Sequence, residues 1–207
     1  TLEHYHITED VTLHDRTTTH VLLALQGRQS RSLLHTLLNI PLAFQRPLDH
    51  RRMALEGTTI RVIDWSLTGE PGVLLAVLAE DAAWLWEALM TRGRAHGLVL
   101  IGWEALNVLR LEAGIPWYGI DMDETNLLPE TGLEASVASD TKGCYVGQEV
   151  IARLAAHGSV SRKLMGLVCE GPLVPEAGDP ITKDGEALGA VTSACLSPAL
   201  KQPIALG

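Results

Sequence analysis

Two features of this 207-residue sequence have residue types and spacing suited to chemistry: a carboxylate at a helix end and a cysteine set between glycines. Glu112 closes the run Leu109-Arg110-Leu111-Glu112, ahead of Ala113-Gly114. At a helix C-terminus the macrodipole disfavours a carboxylate by about 0.3–1 kcal/mol. Arg110 does not relieve this, because residues two apart on a helix point to different faces. Two readings stay open. A ligand with adjacent N–H donors, such as the amine and ring N–H of a pterin, would need a carboxylate there and be gripped bidentately. Alternatively, Glu112 is merely exposed at a frayed end. The second feature is Lys142-Gly143-Cys144-Tyr145-Val146-Gly147-Gln148-Glu149. The glycines permit a tight backbone just ahead of an expected helix, whose N-terminus, with Lys142, favours a thiolate. A buried structural cysteine is the competing reading. No histidine is adjacent, although His157 is within possible reach in space, so no nucleophile–base pair is assigned. Cys169 and Cys195 sit in strand-like apolar runs and read as core thiols.

Other chemistry is excluded or weak. The sequence has no Walker A loop, no GxGxxG after a strand, no HExxH and no GxSxG. His4 and His6 alternate as solvated strand residues do, and two imidazoles make no catalytic metal site without further ligands; no metal is expected. Trp65, Trp84, Trp86, Trp103 and Trp117 read as core or interface anchors.

These residues need elements to hold them. Val21 to Gln26 is an apolar strand ending at Gly27, followed by a helix over Arg28 to Leu38 with Leu33, Leu34, Leu37 and Leu38 on one face, stopped by Pro41. Thr58 to Trp65 alternates as a strand, Thr68 to Gly72 is a turn, and Val73 to Ala79 returns. Glu80 to His96 forms a helix with Ala82, Leu85, Trp86 and Leu89 inward, and Leu98 to Ile101 supplies a last strand. That order is β-α-β-β-α-β, a split βαβ or ferredoxin-like arrangement of the α+β class. A helix over Trp103 to Glu112, a loop-rich stretch to Lys142 and a helix from Gly147 to His157 follow. Short runs at Leu164–Cys169, Leu188–Thr192 and Pro203–Leu206 then start a partial β-barrel. The expected domains are 1–162 and 163–207.

Composition agrees with an ordered globular chain, at 46% hydrophobic and 20% charged residues. Sixteen basic against 25 acidic residues leave a net charge of −9, which argues against general affinity for nucleic acid or an anionic membrane surface. Apolar runs fall short of the ~20 residues of a membrane span. Three unpatterned cysteines and no signal-peptide pattern point to a reducing, cytoplasmic location. The sequence opens without Met and stops in a strand-like phrase, as a piece of a longer protein would.

KGCYVGQEVIAR, Lys142 to Arg153, resembles the signature of the YgfZ-type folate-binding proteins, relatives of the glycine-cleavage T protein. Gly69-Glu70, LRLEAGIPWYGID at 109–121, PETGL at 129–133 and VTSACLSPALKQPIALG at 191–207 extend the resemblance over nearly the whole chain. It implies a tetrahydrofolate pocket in a folate-binding region followed by the barrel. Glu112 would hold the pterin, with Arg110, Tyr118, Asp121 and Glu130 as further cofactor-binding residues. It implies functional roles for Cys144, Lys142 and Tyr145. It also implies an accessory role in iron–sulfur cluster assembly or repair, with iron–sulfur client enzymes or assembly factors as partners, and a link to tRNA modification. The alternative is a true aminomethyltransferase of glycine cleavage, and a third reading is a scaffold that has lost the folate. Two departures stand out. The family has roughly 100 further residues before Thr1, including the acidic residue used in aminomethyl transfer. Ala138-Ser139-Asp140-Thr141 lacks the aromatic residue expected before Lys142. Arg153, Arg162 and Lys163 form a basic set suited to a glutamyl tail, to an acidic partner or simply to solvent.

Overall fold

The computed structural model describes residues 3, 6, 7, 10–39, 42–139, 141–158 and 160–207, the side chains at 155 and 157 excepted. His4, Pro41, Asp140 and the His157 side chain therefore lie outside the described residues. The chain forms two compact units, Thr1–Leu100 and Ile101–Gly207.

The first unit is an antiparallel sheet with two helices. Strand β1 (His20–Gln26) leads to helix α1 (Ser30–Leu38), then β2 (His50–Leu55), β3 (Thr58–Asp64), β4 (Gly72–Leu78) and helix α2 (Ala82–Gly93). Sheet order is β1-β4-β3-β2, with Gln26 opposite Gly72 and Val62 opposite Leu75. Alternation in β3 turns Ile60 and Val62 inward, where they meet Leu75 and Val77 of β4, Leu34 of α1 and Leu85 of α2. All six are essentially buried, so the core is the seam between helices and sheet. The Gln26 side chain fastens the β3–β4 turn: its amide donates to the carbonyls of Trp65 and Val73, and its oxygen accepts from the Leu67 N–H at 2.8 Å.

Three expectations change here. Leu98–Ile101 forms no strand, and Val99, Leu100 and Ile101 are exposed, so β1 remains at an edge. His50–Leu55 does form a strand, at the opposite edge, where His50, Arg51 and Arg52 face solvent while Leu55 turns inward. A strand paired on one side needs few apolar residues, which is why its sequence does not read as one. The structure thus gives a mixed α/β arrangement, and the ferredoxin-like detail is not confirmed. On α2 the buried face is Leu85, Leu89 and Met90, while Trp86 is 41% exposed.

The second unit opens with α3 (Trp103–Glu112), short helices α4 (Leu128–Thr131) and α5 (Glu134–Val137), and α6 (Gln148–His157). Strands β5 (Gly166–Val168), β6 (Pro180–Lys183), β7 (Glu186–Ala190), β8 (Ser193–Ser197) and β9 (Gln202–Leu206) follow. They form a three-stranded sheet, β5-β9-β8, and a separate β6–β7 hairpin. α3 packs on β8 and β9 through Val108, Leu111, Cys195, Ile204 and Leu206. Among the described residues, no helix is long and apolar enough to cross a membrane.

Candidate functional site

The last turn of α3 carries two polar side chains with different fates. Arg110 points inward and is 1% exposed. Its guanidinium donates to Asn107 Oδ1 at 2.9 Å, Ser193 Oγ at 2.7 Å, the Ile115 carbonyl at 3.3 Å and the carboxylate of Asp121. Asp121 also accepts from the Trp117 N–H and from the hydroxyls of Thr192 and Ser193. The Trp117 ring lies 4.7 Å from the Arg110 guanidinium carbon and 4.4 Å from the Trp103 ring. A buried pair persists only when its remaining donors and acceptors are also satisfied, and these contacts achieve that. Arg110 and Asp121, expected among the cofactor-binding residues, are thus occupied with the protein itself: they join α3 and the loop after it to β8.

Glu112, one position past buried Leu111, is only half-buried and meets the β8–β9 turn. Its Oε1 accepts from Ser197 Oγ at 2.6 Å and from the Ala199 N–H at 3.0 Å. The unfavourable end of the helix dipole is offset by two donors from another element, an answer that neither sequence reading anticipated. Both bonds fall on Oε1, whose two lone pairs they fill. Among the described residues, Oε2 accepts no such bond. Ser193, Cys195 and Ser197 share the inward face of β8, and burial, then the charge of Glu112, pushes the Cys195 thiol up from its ordinary pKa.

Glu130 is buried as the third residue of α4, where its Oε2 accepts the Leu127 N–H at 2.9 Å and Arg162 Nε at 3.2 Å. The Leu127 N–H, then Arg162, hold its pKa below the ordinary glutamate value despite burial. Tyr118 is 67% exposed and donates its hydroxyl to Glu124 at 3.1 Å, which raises its pKa. Asp121 and Glu130 both border a cavity of about 470 Å³ whose wall includes Leu164, Leu167, Ile181 and Leu188, with Arg162 and Lys163 beside them. Neither Glu112 nor Cys144 lines it.

Cys144 is exposed, in the loop before α6. Gly147 caps that helix with φ 85°, a conformation that favours glycine. The ammonium of Lys142 sits 4.8 Å from the Tyr145 ring, so Lys142 and Tyr145 are brought together with each other. No hydrogen bond or ion pair joins Cys144 to Glu112 among the described residues. The residues that sequence reasoning did not single out are Thr192, Ser193 and Ser197. Their signal is two serines spaced by two around a buried cysteine, on one face of a strand.

Residues 1–141 match the family described as GCVT N-terminal domain. The chain belongs to this T-protein family. Residues 162–207 match the glycine cleavage T-protein C-terminal barrel domain. Among T-protein relatives, the aminomethyltransferase of Streptomyces avermitilis is 36% identical over 200 residues, covering 95% of this chain and 54% of that protein. The aminomethyltransferase of Halothermothrix orenii is 34% identical over 188 residues, 91% of this chain and 52% of that one. The crystal structure of glycine cleavage system aminomethyltransferase T from Bartonella henselae superposes with a TM-score of 0.74 at 26% identity, over 91% of this chain and 51% of that one. The chain spans about half the length of the curated relatives it matches. These findings overturn the expectation of an iron–sulfur accessory protein linked to tRNA modification, with iron–sulfur clients as partners, and favour the aminomethyltransferase alternative.

Proposed function

We propose that the protein containing this chain is an aminomethyltransferase of the glycine cleavage type, passing the methylene of an aminomethylated lipoyl carrier to tetrahydrofolate, with the amine leaving as ammonia and the carrier sulfur as the free dihydrolipoyl thiol. The observation that carries this reading is the run of aminomethyltransferase relatives at 32–36% identity along almost the whole chain. Glu112 is the residue we assign to the pterin. With Oε1 filled by the β8–β9 turn, the grip falls to Oε2 as a single acceptor, not the two-oxygen fork that the sequence suggested. Tyr118, exposed on the loop after α3, is a second candidate contact. Three free cysteines suit a reducing compartment such as the cytoplasm.

The Lys142–Glu149 loop favours placement on the YgfZ-type branch by descent. Methylene transfer to folate has no need of its thiol. Tetrahydrofolate titration by calorimetry, with transfer from the aminomethylated carrier, tests the reading. A hydrogen bond to a charged group contributes about 1.5–3 kcal/mol, so Glu112→Ala should weaken binding roughly 10- to 100-fold. Cys144→Ser should leave turnover intact. Absence of folate binding, or turnover that requires Cys144, overturns the reading.

A further inference from the structure

We propose that Ser197 is a positioning residue that holds the Glu112 carboxylate in the orientation its ligand needs. The inference rests on the folate reading above, and it concerns how the site is set. Ser197 is fully buried at the end of β8, so its hydroxyl has no water to turn to. Its oxygen accepts the Leu200 N–H at 3.0 Å, and its proton goes to Glu112 Oε1 at 2.6 Å. The Ala199 N–H meets the same oxygen at 3.0 Å. The turn is thus a relay from backbone N–H through hydroxyl to carboxylate, with a second backbone donor beside it. Lys201, at φ 56° and with its N–H on the Ser197 carbonyl at 2.8 Å, closes the turn and fixes where these donors point.

A carboxylate on a free side chain rotates about its last bond and presents either oxygen. Two donors on Oε1 remove that freedom and leave Oε2 as the one oriented acceptor. The positioning residue comes from the stretch matching the C-terminal barrel domain, and the residue it positions comes from the GCVT N-terminal domain match. The barrel stretch thereby contributes to folate binding without touching folate.

A double-mutant cycle on tetrahydrofolate affinity, measured by calorimetry, tests this with Glu112→Ala, Ser197→Ala and the double variant. Ser197→Ala should weaken binding about tenfold in the wild-type background and leave it unchanged in the Glu112→Ala background. Equal weakening in both backgrounds identifies a merely structural role and overturns the proposal, as does wild-type affinity in Ser197→Ala. An unaffected Glu112→Ala instead refutes the folate reading, and the proposal with it. Amide exchange without folate separates these cases: the Ala199 N–H should exchange faster in both single variants. An unchanged rate in Ser197→Ala counts against the cradle itself. Should Ser197→Ala not fold, Ser197→Cys keeps the side-chain connectivity, with a larger atom and a weaker donor in place of the hydroxyl, and the same cycle is read with it.

Discussion

Asp121→Ala removes the carboxylate on which the second unit converges. Arg110 and Asp121 are 1% and 0% exposed at the side chain, so the guanidinium left behind is cut off from water. The Trp117 N–H and the hydroxyls of Thr192 and Ser193 lose an acceptor in the same step. Breaking a buried pair from one side costs about 3–5 kcal/mol, a large share of the ~5–15 kcal/mol that holds a domain folded. Native-state hydrogen exchange reads this within the unit concerned. The amides of Cys195, Ile204 and Leu206 lie on β8 and β9, against which α3 packs, and report its opening. A loss of that size speeds their exchange by about two to three orders of magnitude or more. Amides of β3 and β4, in the other unit, serve as the internal reference. An acceleration below tenfold on β8 and β9 would refute the view of this ion pair as the tie between α3 and the sheet. Arg110→Ala with Asp121→Ala should cost less than the two single changes added together, because the second removes a charge already unpaired.

Three further outcomes follow from the same structure. Glu130 has a folded pKa below its ordinary value, so its contribution to stability is present above the ordinary glutamate range and is lost as pH falls through the depressed value. Thermal melts from neutral to acid pH should show this acid-side loss in the wild type and a flatter profile in Glu130→Gln; parallel profiles would contradict it. Iodoacetamide at neutral pH should alkylate exposed Cys144 before half-buried Cys169 and buried Cys195, read by mass spectrometry; equal rates would contradict the burial pattern. Gly72→Ala drives a methyl into the Gln26 carboxamide, so the amide that fastens the β3–β4 turn must leave its partners. Urea unfolding should show a loss of about 1–3 kcal/mol, and an unchanged midpoint would show that Gln26 moves freely.

Much of this was legible in the residues. β1, α1, β3, β4, α2, α3 and α6 follow from apolar spacing and from Gly27, Gly97, Gly114 and Gly147 at their ends, because burial on one face imposes a period. β2 was not legible: its two arginines belong to an edge, and edge position is a tertiary fact. Leu98–Ile101 shows the converse, since four apolar residues in a row meet every local criterion for a strand and yet pair with no strand among the described residues. At the site, the helix-end argument singled out Glu112 and left two readings open, a ligand or a frayed, exposed end. It could not name the donors, because Ser197 and Ala199 lie more than eighty residues away and meet it only through the packing of α3 on β8. Arg110 and Asp121 were named as cofactor-binding residues only through the family resemblance, and in the structure they pair with each other. The iron–sulfur expectation failed differently: it rested on a loop signature, whereas the relatives match along the whole chain.

The compact units divide the chain after Leu100, whereas the two family matches are separated by residues 142–161. The tail of the first match therefore shares its interior with the second, through Arg110 and Ser193 on one side and Glu112 and Ser197 on the other. Recombination between homologous genes in the interval separating the matches would unite an acid from one parent with a hydroxyl from the other. Such hybrids inherit a seated carboxylate only when both parents had already settled on the same pairing, whereas a crossover near residue 100 carries acid and hydroxyl over together.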